Sequence, residues 1–394
     1  MQKKLIALAV AGLVSGGAFA QSNVTVYGTL DATFESASAT GAANTAGNLG
    51  PRSRISSNSS LLGFKGEEAL GNGLSAVFQI ETAITADGSS NTSVVKDANG
   101  ATVGTTAGAN TFGATRDTFV GLKSATLGTI TAGLQTGPTR ALGSAIDLNA
   151  GATGPGANSS LIGKINGINT GSSGTFDTRF ANSIAYTSPS FAGFNAVAAY
   201  VAGENKTAEN VSGAAKLNTS GYDLGGFYNN GPIYAGLTYG RLSTGTELTG
   251  KEFQSIARLA GAYTFEGGHK ITALYEQNKV GYLGGAADLK QNIWGLGAKF
   301  MVTPAGGLIA QYYQAQDTSG AANNSNTGAK LYEVGYEYSL SKRTLVKASY
   351  NRIDNKDRAN FDFNVGAVGN TSSYGAAAAG SNPQVIAVGL RHSF

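Results

Sequence analysis

The residues that could carry catalysis or bind a metal are few and poorly placed for either. The chain has no cysteine and only two histidines: His269 lies in the turn sequence FEGGHK, and His392 lies near the end, on the apolar face of the last alternating segment. Serine catalysis needs a base beside the nucleophile, and neither histidine suits that role. Glu67 and Glu68 are the only adjacent acids, but neighbours on a strand point to opposite faces. We therefore expect no catalytic residue, no metal ligand, no cofactor and no enzymatic activity.

The overall charge also excludes a class of partners. The 28 basic and 24 acidic residues give a formal net charge of +4, and charged residues make up only 13% of the chain. No basic run of the kind that binds nucleic acid occurs. We expect no nucleic-acid partner.

The first residues predict export. Residues 1–20, MQKKLIALAVAGLVSGGAFA, have two lysines, a short apolar run and a small-residue ending. This pattern is typical of a signal peptide, whereas a membrane-spanning anchor needs about 20 apolar residues. We predict cleavage after Ala20 and a mature chain of residues 21–394.

The rest of the chain alternates between apolar and polar residues. In the first such stretch Val24, Val26, Leu30 and Phe34 share one face, which is a strand period. We count about sixteen alternating segments of this kind. The clearest of them are residues 23–34, 74–84, 179–188, 232–242, 270–279, 329–340, 343–353 and 385–394.

The connections between these segments alternate in length. Tight turns are predicted at 69–73, 126–128, 188–193, 229–232, 265–268, 303–307 and 340–343. Long polar stretches separate them at 35–53, 87–112, 136–178, 204–217, 244–251, 282–288, 318–329 and 355–382. This regularity predicts an all-β fold, a 16-stranded antiparallel transmembrane β-barrel with short periplasmic turns and long external loops. The last strand would pair with the strand near Val24, which places Phe394 at the membrane interface. A soluble secreted β-sandwich or β-solenoid is the alternative; it explains the alternation but not the regular lengths.

Several motifs resemble one known family. They are VTVYGTLDA (24–32), GFKGEEALGNGLSAVFQIE (63–81), FVGLKSATLGTITAG (119–133), ANSIAYTSPSFAGF (181–194), YEYSLSKRTLVKASY (336–350) and VGLRHSF (388–394). Together they resemble the general porins of Gram-negative bacteria, specifically the β-proteobacterial group. The resemblance implies a homotrimer of 16-stranded barrels in the outer membrane, surrounded by its lipids. Each barrel would hold a water-filled channel, narrowed by an inward-folded third long loop.

The inward-folded loop that the resemblance implies corresponds to residues 136–178, the longest connection. By resemblance Asp147 would sit on the constriction loop and face basic residues on the wall, with Arg140 as the other early charge. Arg179 matches a wall arginine of the family. Side chains alternate between the two faces of a strand, so the odd or even position of a residue, its parity, predicts its face. The parity of Arg179 places Phe180, Ile184 and Tyr186 on the opposite face. Opposed charges of this kind create a transverse field that orients passing solutes. The alternative is that Asp147 and Arg179 are solvated charges at loop ends.

Two departures from the family pattern weaken the expected positive charge of the pore. Leu61 stands where the family usually has an arginine, and Leu134 follows Gly133 where the family has Gly-Arg. They predict less anion selectivity than in the relatives. Arg116 resembles another family arginine, but parity alone leaves open whether it or Asp117 points inward. The role of Arg54 is likewise left open.

Parity supplies the remaining pore candidates. Besides Arg140, Asp147 and Arg179, we assign Lys65, Glu67 and Glu81 to the constriction. The further lumen-lining candidates are Tyr27, Asp31, Lys123, Glu333, Glu337, Lys347 and Arg391. Their mixed signs predict a weakly selective channel for passive diffusion of small hydrophilic solutes and ions. A substrate-specific channel and a surface adhesin or receptor barrel are the alternatives.

Overall fold

The computed structural model describes residues 23–87, 92–96, 102–107, 115–165, 176–203, 220–246, 251–282, 286–320, 324–368 and 378–394. The predicted signal peptide lies outside the described residues. The strands are β1 (Asn23–Thr40), β2 (Leu49–Ser57), β3 (Leu61–Gly71), β4 (Leu74–Ala83), β5 (Thr92–Lys96), β6 (Thr102–Ala107), β7 (Thr118–Ser124), β8 (Gly128–Thr136), β9 (Arg179–Thr187), β10 (Phe194–Val201), β11 (Gly221–Asn230), β12 (Ile233–Thr246), β13 (Lys251–Thr264), β14 (Lys270–Tyr282), β15 (Leu289–Thr303), β16 (Gly306–Ala315), β17 (Ala329–Ser339), β18 (Thr344–Asn355) and β19 (Asn382–Ser393). One helix, α1 (Pro138–Ile146), follows β8.

All strands except the β5–β6 hairpin form one closed antiparallel sheet. It has 17 strands, but β2 and β3 pair in succession with the long strand β1, so the barrel has 16 strand positions. The other edge of β1 pairs with β19, from Thr29 opposite Ser393 to Thr40 opposite Asn382. The backbones of Gly28 and Phe394 also exchange two hydrogen bonds, of 3.1 and 3.0 Å. These pairings confirm the predicted closed barrel and the predicted partner of the last strand.

The two faces of the wall differ as the alternation predicted. On β1, Val24, Val26 and Phe34 are exposed on the outside, whereas Asp31 and Glu35 are fully buried on the inside. The same division runs around the barrel, because successive side chains on a strand point to opposite faces. The outer surface is therefore an apolar band suited to lipid, and the inner surface carries polar and charged groups.

All seven short turns lie at the predicted places, at one end of the barrel. The first long connection is shorter than predicted, because β1 continues to Thr40 and β2 begins at Leu49. Residues 36–40 alternate alanine with small polar residues, so their hydrophobic contrast is too weak to show the strand. Among the described residues, no helix is both long and apolar enough to cross a membrane.

The packed core lies inside the barrel and not between layers. Leu142, Ile146, Leu161 and Ile162 belong to the connection between β8 and β9, and all four side chains are fully buried. They form one cluster with inward residues of the wall, including Leu274 and Ile293. A barrel of 16 strands encloses more space than wall side chains can fill, and this connection occupies part of it.

Candidate functional site

The connection between β8 and β9 runs along the inner wall. We call its described residues, 137–165 and 176–178, the inward segment. It begins with α1, whose first residue is Pro138, a favoured position for proline. The Thr139 backbone N–H and hydroxyl both donate to the Asp223 carboxylate of β11, at 3.0 and 2.6 Å, and the hydroxyl lies 3.0 Å from the Thr238 hydroxyl of β12. The helix is thereby attached to two neighbouring strands.

A buried arginine attaches both ends of the inward segment to the next two strands. Arg258 of β13 donates through Nη1 to the Thr139 carbonyl at 2.7 Å and to the Asp177 carboxylate at 2.8 Å. Its Nε donates to Glu276 of β14 at 2.7 Å. The second oxygen of Glu276 accepts the backbone N–H of Gly163 at 2.7 Å. Arg258 and Glu276 are both fully buried, and a buried charge of this kind is stable only when it is paired.

Beyond α1 the inward segment crosses to the opposite side of the barrel. The Leu148 N–H donates to Gln311 of β16 at 3.2 Å, and the Ala150 N–H donates to Glu337 of β17 at 2.9 Å. The Thr153 hydroxyl then lies 3.0 Å from that of Ser59, between β2 and β3. The inward segment therefore extends across the interior to the region where the barrel closes.

Asp147 has amide partners in place of the basic partners that the resemblance implied. Its carboxylate accepts the backbone N–H groups of Asn149 and Asn158 at 2.9 and 2.7 Å, and the side-chain amide of Gln311 at 3.3 Å. Burial raises the pKa of Asp147, and these hydrogen bonds oppose the rise. The side chain is buried, so it holds the segment in shape and presents little charge to water.

Arg140 lies in an arginine cluster at the root of the inward segment. It donates to the Asp177 carbonyl at 2.5 Å. Burial lowers the pKa of Arg140; the Asp177 carboxylate opposes this shift, and the positive charges of Arg179 and Arg116 reinforce it. Three arginines, Arg116, Arg140 and Arg179, therefore share one electrostatic environment. We call them the arginine cluster.

Two carboxylates partly neutralise the arginine cluster. Arg179 donates to Asp117 at 2.7 Å, and Arg116 pairs with Glu81. Burial raises the pKa of Asp117, but the Arg179 guanidinium and two hydrogen bonds from Thr136 outweigh it, so the pKa lies below its ordinary value. Arg116 and Asp117 both precede β7 and both find partners inside, which resolves the question that parity left open.

The predicted position of Phe180 was wrong. It is buried and packs inside against Phe176, with ring centroids 6.1 Å apart, whereas Ile184 and Tyr186 are exposed outside as predicted. The alternation fails because Asn182 has a positive φ of 52° and the pairing of β8 with β9 shifts register there. This bulge turns the start of β9, so parity counted from Ile184 does not apply to Arg179 or Phe180.

The other sequence candidates fall into separate groups. Asp31 accepts from Lys347 at 2.8 Å and from Arg391 at 3.1 Å, and this triad lies where β18, β19 and β1 meet. Glu333 accepts the side-chain amide of Asn149 at 2.8 Å, and Glu337 pairs with Lys299 at 2.8 Å.

The remaining candidates lie nearer the short turns. The Lys65 ammonium lies 5.2 Å from the ring centroid of Tyr27, whose hydroxyl donates to Glu81 at 3.1 Å. Glu67 pairs with Lys123 at 2.8 Å, and both side chains are exposed beside the turns that end β3 and β7. Glu67 is therefore at the mouth of the barrel and apart from the arginine cluster.

Sequence reasoning missed the residues that attach the inward segment. Arg258 and Glu276 are direct cross-strand partners, and both share the inward parity of their strands. A search for opposite charges at matched positions of adjacent strands could have found them. Asp223 gave no such signal, because its partner Thr139 lies 84 residues earlier in the chain.

Comparison with known proteins identifies the family. The sequence matches the family described as Gram-negative porin over residues 7–358. The chain belongs to the Gram-negative porin family. It is 30% identical to outer membrane porin protein 32 of Delftia acidovorans over 397 residues, which covers all of both chains. It is also 30% identical to the major outer membrane protein P.IB of Neisseria gonorrhoeae, covering 89% of this chain and 93% of that one.

Solved porins share the fold. The anion-selective porin from Comamonas acidovorans superposes with a TM-score of 0.72 at 27% identity, covering 95% of this porin and 100% of that chain. OmpT of Vibrio cholerae, solved in a trimer form, superposes with a TM-score of 0.60 at 14% identity, covering 95% and 99%. The family and the barrel place this porin in the outer membrane.

Proposed function

We propose that this porin conducts small hydrophilic solutes and ions passively, through a channel whose narrowest part lies between the inward segment and the wall that bears Arg116 and Arg179 of the arginine cluster. One observation carries the proposal. The inward segment is hydrogen-bonded to inward carboxylates of β11, β14 and β17, so it is fixed across the interior. A fixed segment narrows a wide barrel and leaves a defined aqueous path beside it.

We further propose a modest preference for anions, in place of the weak selectivity that the charge count predicted. In several inward ion pairs the cation is more accessible than its partner. Arg54 is 21% exposed and Glu35 0%, while Lys347 and Arg391 are 12% and 19% exposed and their shared partner Asp31 is 0%. The carboxylates are covered and the cations face the water. Counting residues from the sequence gives both signs equal weight, whereas a permeating ion meets mainly the positive groups.

The arginine cluster contributes in the same direction. Its three positive charges face two carboxylates, Asp117 and Glu81, because Asp177 is already bound by Arg258. The description of the Comamonas acidovorans relative as anion-selective agrees with this proposal. We also propose that the porin assembles as a homotrimer, which the family resemblance supports.

Planar-bilayer recording of the purified porin tests these proposals. We expect large ohmic currents, closing in three equal steps, and a reversal potential in a salt gradient that favours chloride. Arg179→Gln should lower the anion-to-cation permeability ratio roughly twofold to fivefold, because one charge near the path is lost. Lys342→Gln, in an exposed turn, is the matched control and should leave the ratio unchanged.

Each other result would favour a different function. Saturable block by one solute would indicate a substrate-specific channel. The absence of current from correctly folded protein would indicate an adhesin or receptor barrel. A reversal potential near zero would restore the weakly selective channel that the sequence predicted.

A further inference from the structure

The outer face carries a row of positive charges at the long-loop end of the barrel. Arg241 of β12 is paired in register with Ser255 of β13, Ser255 with Lys279 of β14, and Lys279 with Lys290 of β15. These residues share the parity of exposed apolar side chains on the same strands, such as Leu237 on β12. Arg241, Lys279 and Lys290 therefore form one line across four strands on the outside. We call this line the cation row.

The cation row is short of negative charge. Lys279 and Lys290 are direct cross-strand partners, an arrangement that is destabilising for like charges. Within the described part of the chain, the one carboxylate paired with the row is that of Asp288, 2.6 Å from the Lys279 ammonium. The Phe253 ring lies between two of the cations, 3.5 Å from the Arg241 guanidinium carbon and 5.2 Å from the Lys279 nitrogen, measured to the ring centroid. This contact holds both side chains at the surface.

An apolar recess lies beneath the Arg241 end of the cation row, on the membrane side, and its lining includes residues of β12 and β13 but none of β14 or β15. Its volume is about 580 Å³, and its lining, almost wholly apolar, includes Tyr186, Ala198, Leu224, Leu237, Tyr239 and Ala257. Tyr239 precedes Arg241 by two residues on β12, so the recess begins one position below the row. Its lining combines small residues of β10, β11 and β13 with larger side chains such as Tyr186, Leu237 and Tyr239.

We propose that the cation row and the recess together bind a phosphate-bearing lipid of the outer leaflet. Its phosphate groups would lie against Arg241, Lys279 and Lys290, and one acyl chain would fill the recess. The long-loop end of such a barrel faces the cell exterior, so the row lies at the headgroup level of the outer leaflet. Basic clusters at this depth attract anionic headgroups, and the guanidinium of arginine matches phosphate geometry.

The single tryptophan supplies a local probe. Trp294 of β15 pairs in register with Tyr275, which pairs with Leu259, and Leu259 pairs with Leu237 of the recess lining. Trp294 therefore lies on the same level as the recess, three strands from Leu237 and two strands from Ala257, which lines the recess on β13. Its fluorescence should be quenched by brominated acyl chains bound nearby.

The experiment measures this quenching in detergent micelles that contain brominated phosphatidic acid, whose phosphomonoester is exposed, or phosphatidylcholine with the same brominated chains. We expect the unmodified porin to prefer phosphatidic acid at low salt. Arg241→Gln combined with Lys290→Gln should raise the phosphatidic acid needed for half-quenching about tenfold and leave phosphatidylcholine unaffected. Lys290→Gln alone is the milder variant, should the pair disturb folding.

A matched control removes two charges elsewhere. Lys342→Gln with Arg343→Gln neutralises two exposed cations in the turn between β17 and β18, at the opposite rim, and should leave phosphatidic acid quenching unchanged. Equal quenching by both lipids, an equal effect of the control, or no effect of the cation-row variants in folded protein would overturn the proposal. Displacement by inorganic phosphate at the same concentration as the lipid would also overturn it, because the recess would then add nothing to binding.

Discussion

Arg258 and Glu276 are direct cross-strand partners inside the barrel, with Nε and Oε2 2.7 Å apart and neither side chain exposed to water. Both residues also bind the inward segment. Arg258 Nη1 donates to the Thr139 carbonyl and the Asp177 carboxylate, and Glu276 Oε1 accepts the backbone N–H of Gly163. One ion pair of the wall thus attaches both ends of the inward segment. If this segment narrows the pore, as we propose, the width of the channel depends on this pair.

Replacing Arg258 with methionine should therefore widen the pore and destabilise the protein. Glu276 and Asp177 would remain buried without their cation, which typically costs about 3–5 kcal/mol. We expect a lower thermal unfolding midpoint and a larger single-channel conductance, because the inward segment is released. Unfolding in detergent and bilayer recording measure the two effects.

A double variant and a surface control complete this test. Arg258→Met with Glu276→Met removes the unpaired carboxylate of the wall, so it should recover stability but retain the larger conductance. Lys123→Met breaks the exposed pair with Glu67 and should leave the unfolding midpoint nearly unchanged, because water and salt screen this pair. Unchanged conductance in folded Arg258→Met protein would show that the pair does not hold the segment.

Lys164 should make the stability of the porin depend on alkaline pH. This residue of the inward segment donates to the Ser160 carbonyl at 3.0 Å, and burial lowers its pKa to about 8, against partial opposition from Asp362 and Asp177. Between about 8 and the ordinary lysine value near 10.4, the unfolded chain holds a proton that the folded chain has lost. The free energy of unfolding should therefore rise with pH across this range. Below the range, Lys164 is protonated in the folded chain, which then bears the full cost of burying the ammonium charge.

Unfolding midpoints of the porin and Lys164→Gln, measured from pH 7 to 10.5, test this dependence. The difference between the two proteins should shrink as pH rises, because the variant has no charge to bury. Lys342→Gln, which removes an exposed lysine, should follow the unmodified porin throughout. A constant difference between porin and Lys164→Gln would mean that Lys164 keeps its proton over the whole range.

Gly28 should stabilise the closure of the barrel, because it leaves room for the ring of Phe394. A Cβ atom at this position would lie 2.3 Å from the Phe394 ring and 2.8 Å from the Leu61 carbonyl oxygen. Gly28→Ala should thus push the ring away and disturb the last strand pairing, at about 1–3 kcal/mol. Refolding yield and heat-induced unfolding on gels measure the effect. Gly226→Ala, where a Cβ meets nothing within 4 Å, is the control; equal behaviour of the two variants would contradict the role of the contact.

The barrel was predictable from sequence because its signals are local. Alternation over a single strand fixes which side chains face lipid, and turn residues fix where strands reverse, as the seven short turns show. The closing pair of β1 and β19 followed from topology, since an unpaired edge cannot remain in lipid.

The interior was less predictable because its contacts join distant parts of the chain. Thr139 meets Thr238, 99 residues later, and no periodicity records such a pairing. Phe180 shows a second limit: one left-handed residue, Asn182, reverses the parity on which the prediction depended. The predicted weak selectivity stays a prediction, because sequence shows which charges exist but not which of them are covered.

Asp31→Asn should increase the preference of the pore for anions. Asp31 is buried beneath Lys347 and Arg391, and it also accepts the Asn58 amide at 3.0 Å. Neutralising it leaves two partly accessible cations without their counter-charge, so the local charge rises by one. We expect the reversal potential in a salt gradient to move toward that of chloride, opposite in effect to Arg179→Gln, with some loss of stability. Glu67→Gln removes a negative charge from the exposed mouth, where water and salt screen it, and should shift the potential less. Equal shifts from Asp31→Asn and Glu67→Gln would mean that selectivity follows total charge, and that covering of the carboxylates is irrelevant.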